Sequence, residues 1–197
     1  MAGPFEAISG GGAAIGLDEV EMSILRSLVV QLLELVGPGQ APVEGEDPLA
    51  ELFAEGPSEP PADPALARLF PDAYGEKEPD FSSEFRRFTE NDLRARKRED
   101  ALAVVRALDE AGAPADDAAV GRGGSVVVLK LSAEDSRHWL GALNDLRLTI
   151  GTRLEVTDED EDGQLYRLPD DDPRKPMVMA YLWLGALQES LVETLMP

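Results

Sequence analysis

From Val20 to Val36 the chain is nearly continuously apolar: Ile24, Leu25, Leu28, Val29, Val30, Leu32, Leu33, Leu35 and Val36 follow closely. Apolar residues on most sides of a 3.6-residue period predict a central, buried helix. Asp18 stands where an N-cap belongs, with Glu21 three residues later as its capping-box partner. Gly37-Pro38 ends the helix. Upstream, the short runs Phe5 to Ser9 and Ala13 to Leu17 flank Gly10, Gly11 and Gly12. Glycine supplies the positive φ of a tight connection, so this predicts a β-hairpin. No Gly-Lys-Ser or Gly-Lys-Thr follows and no dinucleotide spacing is present, which favours a turn over a phosphate cradle.

A long helical pattern runs from about Pro79 to Ala111. Phe81, Phe85 and Phe88 form one stripe at i, i+4, i+7, and Leu102, Val105 and Leu108 form another. Between them lies ENDLRARKRED, whose one large apolar residue is Leu93. That composition predicts a solvent-exposed middle, or a bend. Ser125 to Leu131 (SVVVLKL) is a β-branched strand able to pair with the hairpin. Ser132 caps the next helix with Asp135 at the box position, and that helix reaches about Arg153. A last helix covers Val178 to Met196. Asp63-Pro64 and Asp47-Pro48 each place an N-cap before proline at N1, so each starts a short helical turn.

WLGAL occurs at Trp139 to Leu143 and again at Trp183 to Leu187. In the first copy Trp139, Leu143, Leu146 and Ile150 recur at helical spacing, as do Trp183, Leu187, Leu191 and Leu195 in the second. Small Gly-Ala pairs let a neighbouring helix approach while Trp fills the adjacent groove. This is one helix-packing solution used twice, not a repeat. Both helices are expected to pack on each other and on residues 18–36, with both indoles buried. The fold class is mainly α (α+β), a helical bundle with a small antiparallel sheet from the N-terminal hairpin and one later strand. Residues 1–197 read as a single domain. Residues 37–63 form a mobile acidic loop rich in Pro and Gly, and residues 155–176 a second acidic loop.

Charge changes this picture. The chain has 39 acids against 18 bases, a net charge of −21. A phosphate backbone is repelled by such a chain as a whole, so direct nucleic-acid binding needs a local basic face. There is no cysteine, which removes disulfides, thiolate catalysis and Cys-ligated zinc. The N-terminus lacks a basic n-region followed by an apolar h-region, and no segment has membrane-span length, so a soluble cytoplasmic protein without membrane partners is expected.

Candidate chemistry is sparse. Asp158, Asp160, Asp162 and Gly163 match the opening of a calcium loop, but the closing carboxylate position is Pro169, so a solvated acidic loop is expected with weak cation binding at most. His138, the one histidine, has no marked nucleophile beside it, and Glu134 one turn back is its simplest partner. No catalytic residue, cofactor or metal site is assigned. Arg86, Arg87, Arg94, Arg96, Lys97 and Arg98 form a basic cluster interleaved with Glu84, Glu90, Asp92, Glu99 and Asp100. Spacing allows Glu90 to pair with Arg94 or Lys97 on one helix face. The cluster reads either as a salt-bridged exposed helix or as a docking face for an acidic partner. Its six bases are the candidate partner-binding residues.

The segments DPALARLFPDAY (63–74), EFRRFTENDLRARK (84–97), WLGALNDLRLTIGTRL (139–154) and YLWLGALQESLV (181–192) resemble one family. It is the actinobacterial domain-of-unknown-function family two thousand and seventeen, also called the actinomycete oxidative-stress regulator family. The resemblance covers nearly the whole chain. It implies a cytoplasmic regulatory protein linked to oxidative stress and transcription. Redox sensing through a cysteine pair is proposed for such regulators, and a chain without cysteine cannot sense that way. The expected function is therefore a non-enzymatic regulatory or protein-interaction module. Its expected partner is a protein, with transcription machinery and a second copy in a homodimer as candidates. The alternatives are a DNA-binding regulator using the basic helix and an enzyme or weak cation-binding protein built on the acidic loops.

Overall fold

The computed structural model describes residues 3–38, 56–74, 78–113, 126–157 and 167–196. The expected calcium-like run at Asp158, Asp160 and Asp162, residues 39–55 of the first acidic loop and 158–166 of the second, and the helical turn after Asp47 lie outside the described residues. The elements are β1 (Glu6–Ile8), β2 (Gly12–Leu17), α1 (Glu19–Val36), α2 (Pro64–Leu69), α3 (Pro79–Gly112), β3 (Val127–Leu131), α4 (Ala133–Arg153) and α5 (Lys175–Leu195). Helices thus accompany one antiparallel sheet of order β1-β2-β3, the fold class expected from the sequence.

Local chemistry explains the element starts. Asp18 accepts from the Glu21 amide at 2.8 Å while the Glu21 carboxylate accepts from the Asp18 amide at 3.0 Å. Ser132 and Asp135 build the same reciprocal box at the head of α4. Asp63 accepts from the amides of Ala65 and Leu66, with Pro64 opening α2. Gly10 and Gly11 both have positive φ, the conformation that closes the β1-β2 hairpin without a side-chain clash.

The sheet register pairs Ala13 with Leu131, Ile15 with Leu129 and Leu17 with Val127. Ala13, Ile15, Leu17, Leu129 and Leu131 are buried on one face and meet the helices. On the outer face Val128 is exposed, as is Val126 just before β3. Phe5, just before β1, packs edge-on against Trp139 with 6.0 Å between ring centroids, and its amide donates to Ser190 Oγ. These contacts fasten the hairpin over α4 and α5.

The central helix is α4, not α1. It packs against α1, α2, α3, α5 and the sheet, and Trp139, Ala142, Leu143, Leu146 and Ile150 are all buried. Helix α1 buries one face, Leu25, Val29, Leu32 and Val36, and leaves Val20 and Ile24 exposed. Its apolar run is wider than the face its neighbours cover. The helices bearing the two WLGAL copies do pack on each other, but the strong contacts of α1 are with α3 and α4 and do not extend to α5. Trp139 is fully buried, whereas Trp183 is only partly so. The second copy is rotated, so Leu184 takes the core position beside Leu187 and Leu191.

Each WLGAL glycine receives a charged side chain rather than a helix backbone. Asp100 of α3 lies over Gly141, where an added Cβ would stand 2.9 Å from Asp100 Cγ. Arg147 of α4 lies over Gly185, at the looser distance of 3.6 Å from such a Cβ.

Candidate functional site

Helical spacing puts Arg86, Glu90, Arg94 and Lys97 on one face of α3, and that face turns inward. Arg86 is 4% exposed and Glu90 is 3% exposed. Arg86 donates to Glu90 Oε2 at 2.5 Å, to the Phe70 carbonyl at 2.9 Å and to Asp72 Oδ1 at 2.8 Å. Arg94 donates to Glu90 Oε1 at 2.6 Å and to the Val36 carbonyl, and its guanidinium lies 4.4 Å over the Phe70 ring. Arg98 donates to the Gly37 carbonyl. Lys97 reaches across to Asp145 Oδ1 at 2.6 Å instead of pairing with Glu90.

The expectation of a solvent-exposed middle for this helix is therefore corrected for Arg86, Arg94, Lys97 and Arg98. The physical reason lies at the end of α1. That helix has no basic residue in its last turn, so its terminal carbonyls and negative dipole end lack a local cation. Arg94 and Arg98 provide it from α3. Glu90 is held by two arginines, which offsets the cost of burying its charge. Burial works against the charge on Arg86, yet hydrogen bonds to Asp72 and Glu90 outweigh it and raise its pKa. At Asp145 burial wins: it pushes the carboxyl above its usual range, against the pull of Lys97 and with the help of the nearby Asp100 charge.

The apolar stripe is also inverted. Phe81, Phe85 and Phe88 are 59, 47 and 60% exposed, while charged neighbours fill the interior. The helix follows its ion-pair partners and the buried Ala101, Val104 and Leu108 further along that same face.

What remains outward forms a cleft of about 540 Å³ where α3 crosses α4, lined by Arg96, Glu99, Asp100, Glu134, Arg137 and His138 among others. His138 Nδ1 lies 2.7 Å from Asp100 Oδ1, so its partner is not the expected Glu134. The room over Gly141 is what lets Asp100 reach it. Arg96 and Arg137 are exposed, and neither forms an ion pair among the described residues. Arg137 spends only its Nε–H, on the Ala133 carbonyl. Two guanidinium groups beside an imidazole suit carboxylate recognition, because arginine offers paired parallel donors.

Of the six candidate partner-binding residues, this cleft takes Arg96. Arg87 lies elsewhere, with its guanidinium 4.9 Å from the centroid of Phe88. Sequence reasoning missed Arg137 and Asp100 as cleft residues, because the α3–α4 crossing joins positions far apart in the chain. The one usable signal was Gly141, a glycine inside a helix that needs a reason. Among the described residues no group of three or more His, Cys, Asp or Glu could hold a metal ion. Among the described residues no helix is long and apolar enough to cross a membrane.

Comparison with known proteins shows the family. Residues 2–195 match the family described as domain of unknown function DUF2017. The chain is similar to oxidative stress regulator AosR of Mycobacterium tuberculosis, 28% identical over 190 residues, covering 89% of this chain and 78% of that protein. It is also similar to putative oxidative stress regulator AosR of Mycobacterium leprae, 30% identical over 193 residues, covering 89% and 79% of the two chains. No solved structure matches the chain.

Proposed function

The chain belongs to the DUF2017 family, and from that premise we propose that it is a non-enzymatic regulatory protein of the oxidative-stress response. In this reading it works in the cytoplasm by binding another protein, with transcription machinery as the class of partner. The names of the mycobacterial relatives support the regulatory part. The observation that supports the binding part is the cleft between α3 and α4. In a chain of net charge −21, Arg96 and Arg137 stand exposed there without a carboxylate partner among the described residues. The same cleft carries Asp92, Glu99, Asp100 and Glu134, so recognition rests on the paired donors of the two guanidinium groups, which can hold a partner carboxylate bidentately, and not on a net positive field.

The other bases of the cluster have a different part in this reading. Arg94 and Arg98 fix α3 against the end of α1, Lys97 fixes it against α4 and Arg86 against the segment that follows α2, and together they hold Arg96 in place. Four of the six charges that a DNA backbone would have to meet are engaged inside the protein, which favours a protein partner over direct DNA binding. Sensing by thiols of its own is closed to a chain without cysteine.

The test is a double charge reversal, Arg96→Glu with Arg137→Glu, compared with wild type in affinity capture from the native host. Both residues are exposed, so the fold should survive with a stability change within about 0.5 kcal/mol. Capture should fall, and the wild-type signal should weaken as salt rises. Equal capture by both forms at low salt would move the docking site elsewhere.

A further inference from the structure

The outer face of α3 carries a second feature that the cleft does not use. Phe81, Phe85 and Phe88 stand in a row on its N-terminal half, roughly half to three-fifths exposed, and Tyr74 packs against the row at 43% exposure. The Tyr74 ring lies 5.9 Å from Phe81 and 6.1 Å from Phe85, centroid to centroid. The row is flanked on both sides. On one side the Phe70–Tyr74 segment is tied down by Arg86 and by Ser82, whose hydroxyl bonds both the amide and the carbonyl of Tyr74. On the other, Gly56 donates to the Arg87 carbonyl and Ser83 donates to the Ser58 carbonyl. The rings therefore sit on a fixed, broad surface. An isolated exposed aromatic is ordinary, but four adjacent ones on a fixed platform mark an interface.

We infer that this face is a two-fold interface with a second copy of the chain, formed by antiparallel packing of α3 on α3. An antiparallel pair centred on Phe85 sets that ring against its own mate and sets Phe81 of one copy against Phe88 of the other. The same register brings Glu84 of one copy beside Arg87 of the other, twice, because the axis repeats every contact. An aromatic side chain carries about 150–250 Å², so at these exposures four rings leave on the order of 400 Å² open per copy. Joining two copies removes about 800 Å² from the rings alone, against the roughly 1,200–2,000 Å² of a stable interface. Pro57, Ser58, Ala73, Glu84 and Leu93, exposed on the flanks, supply the difference. Area alone does not fix the affinity, since interfaces of about 1,600 Å² range from micromolar to picomolar.

Charge gives the dimer a signature of its own. Two monomers each carrying −21 repel at long range, so association through an apolar face strengthens as salt screens that repulsion. Carboxylate capture at the Arg96–Arg137 cleft has the opposite salt dependence, which keeps the two readings separable.

Sedimentation equilibrium of the full chain, from about 5 to 200 µM at low and high salt, tests the inference. The expected result is a reversible approach to twice the 21.2 kDa monomer mass, tighter at high salt. Phe85→Glu should remain monomeric throughout, with an unchanged far-ultraviolet spectrum and melting transition that show its fold intact. Glu84→Arg should weaken the dimer, and Glu84→Arg with Arg87→Glu should restore it at least in part. A wild type that stays monomeric at 200 µM, or a Phe85→Glu variant that still dimerises, would overturn the inference. Open-ended association beyond the dimer would do so too, since it would show a sticky surface rather than a two-fold contact.

Discussion

The two WLGAL glycines should respond to alanine in opposite directions. In a helix interior alanine is favoured over glycine by about 1 kcal/mol. At Gly185 the added Cβ meets Arg147 Nε at 3.6 Å, an ordinary contact, so most of that gain should survive. Gly185→Ala should therefore stabilise the protein by about 0.5–1 kcal/mol. At Gly141 the Cβ would lie 2.9 Å from Asp100 Cγ and closer still to its Oδ2. A short aspartate side chain cannot yield there and keep its 2.7 Å bond to His138. A hydrogen bond to a charged group is worth about 1.5–3 kcal/mol, and partial exposure of this pair argues for the lower part of that range. After the propensity gain, Gly141→Ala should still cost about 0.5–1.5 kcal/mol, plus whatever strain the crossing retains. For a chain of this length each kcal/mol moves Tm by about 2–4 °C. Urea titration followed by far-ultraviolet circular dichroism measures the difference directly, provided the slope stays constant across the three proteins. If Gly141→Ala proves as stable as Gly185→Ala, the account of the α3–α4 crossing is wrong.

Three further outcomes follow from the same contacts. Arg86→Ala removes a buried cation and leaves Glu90 with Arg94 as its remaining partner; it should cost about 3–5 kcal/mol in the same urea assay, whereas Arg96→Glu should cost almost nothing. Trp139→Ala, at a fully buried site, should cost about 3–5 kcal/mol, and Trp183→Ala, only partly buried, clearly less, as read by thermal or urea unfolding. Stability against pH should carry two opposing contributions. The lowered carboxyls Asp63, Asp109 and Asp172 contribute stability above the ordinary carboxylate range that is lost as pH falls through their folded values. Asp145, raised by burial, binds its proton more tightly in the folded state, so its contribution is full at low pH and declines as pH rises from about 4 through its folded value. Asp145→Asn should remove that decline from the stability profile; an unchanged profile would remove Asp145 as its source.

Much of the secondary structure was legible because its signals are local. The capping boxes at Asp18 and Ser132, the proline after Asp63 and the glycine turn before β2 each involve residues within a few positions of one another. Helix α3 was found for the same reason, with ends within a residue or so. Its orientation was not. Periodicity locates an apolar stripe, but it does not say whether core or solvent meets that stripe. Nor does it show that Lys97 finds Asp145, or that Arg94 and Arg98 find the end of α1, because those partners lie 48, 58 and 61 positions away. Charged residues read as outward by default, and here they are inward because the partners meet only on folding. The rotation of the second WLGAL copy escaped for a related reason. Trp183 and Leu184 are equally apolar in sequence, and only the placement of α5 at the edge, against α4 and the hairpin, chooses Leu184 for the core. The candidate cleft was half legible: Arg96 and His138 stood out, while Asp100 and Arg137 acquire their role from the helix crossing.

The central claim is that this protein acts through carboxylate recognition at the α3–α4 cleft rather than through catalysis. Its most direct test is affinity capture from the native host at low and high salt, with wild type and the Arg96→Glu, Arg137→Glu double variant side by side and both first shown to be folded. The account expects a partner retained by wild type at low salt, released as salt rises, and absent from the variant. The same partner held equally by both proteins would contradict it.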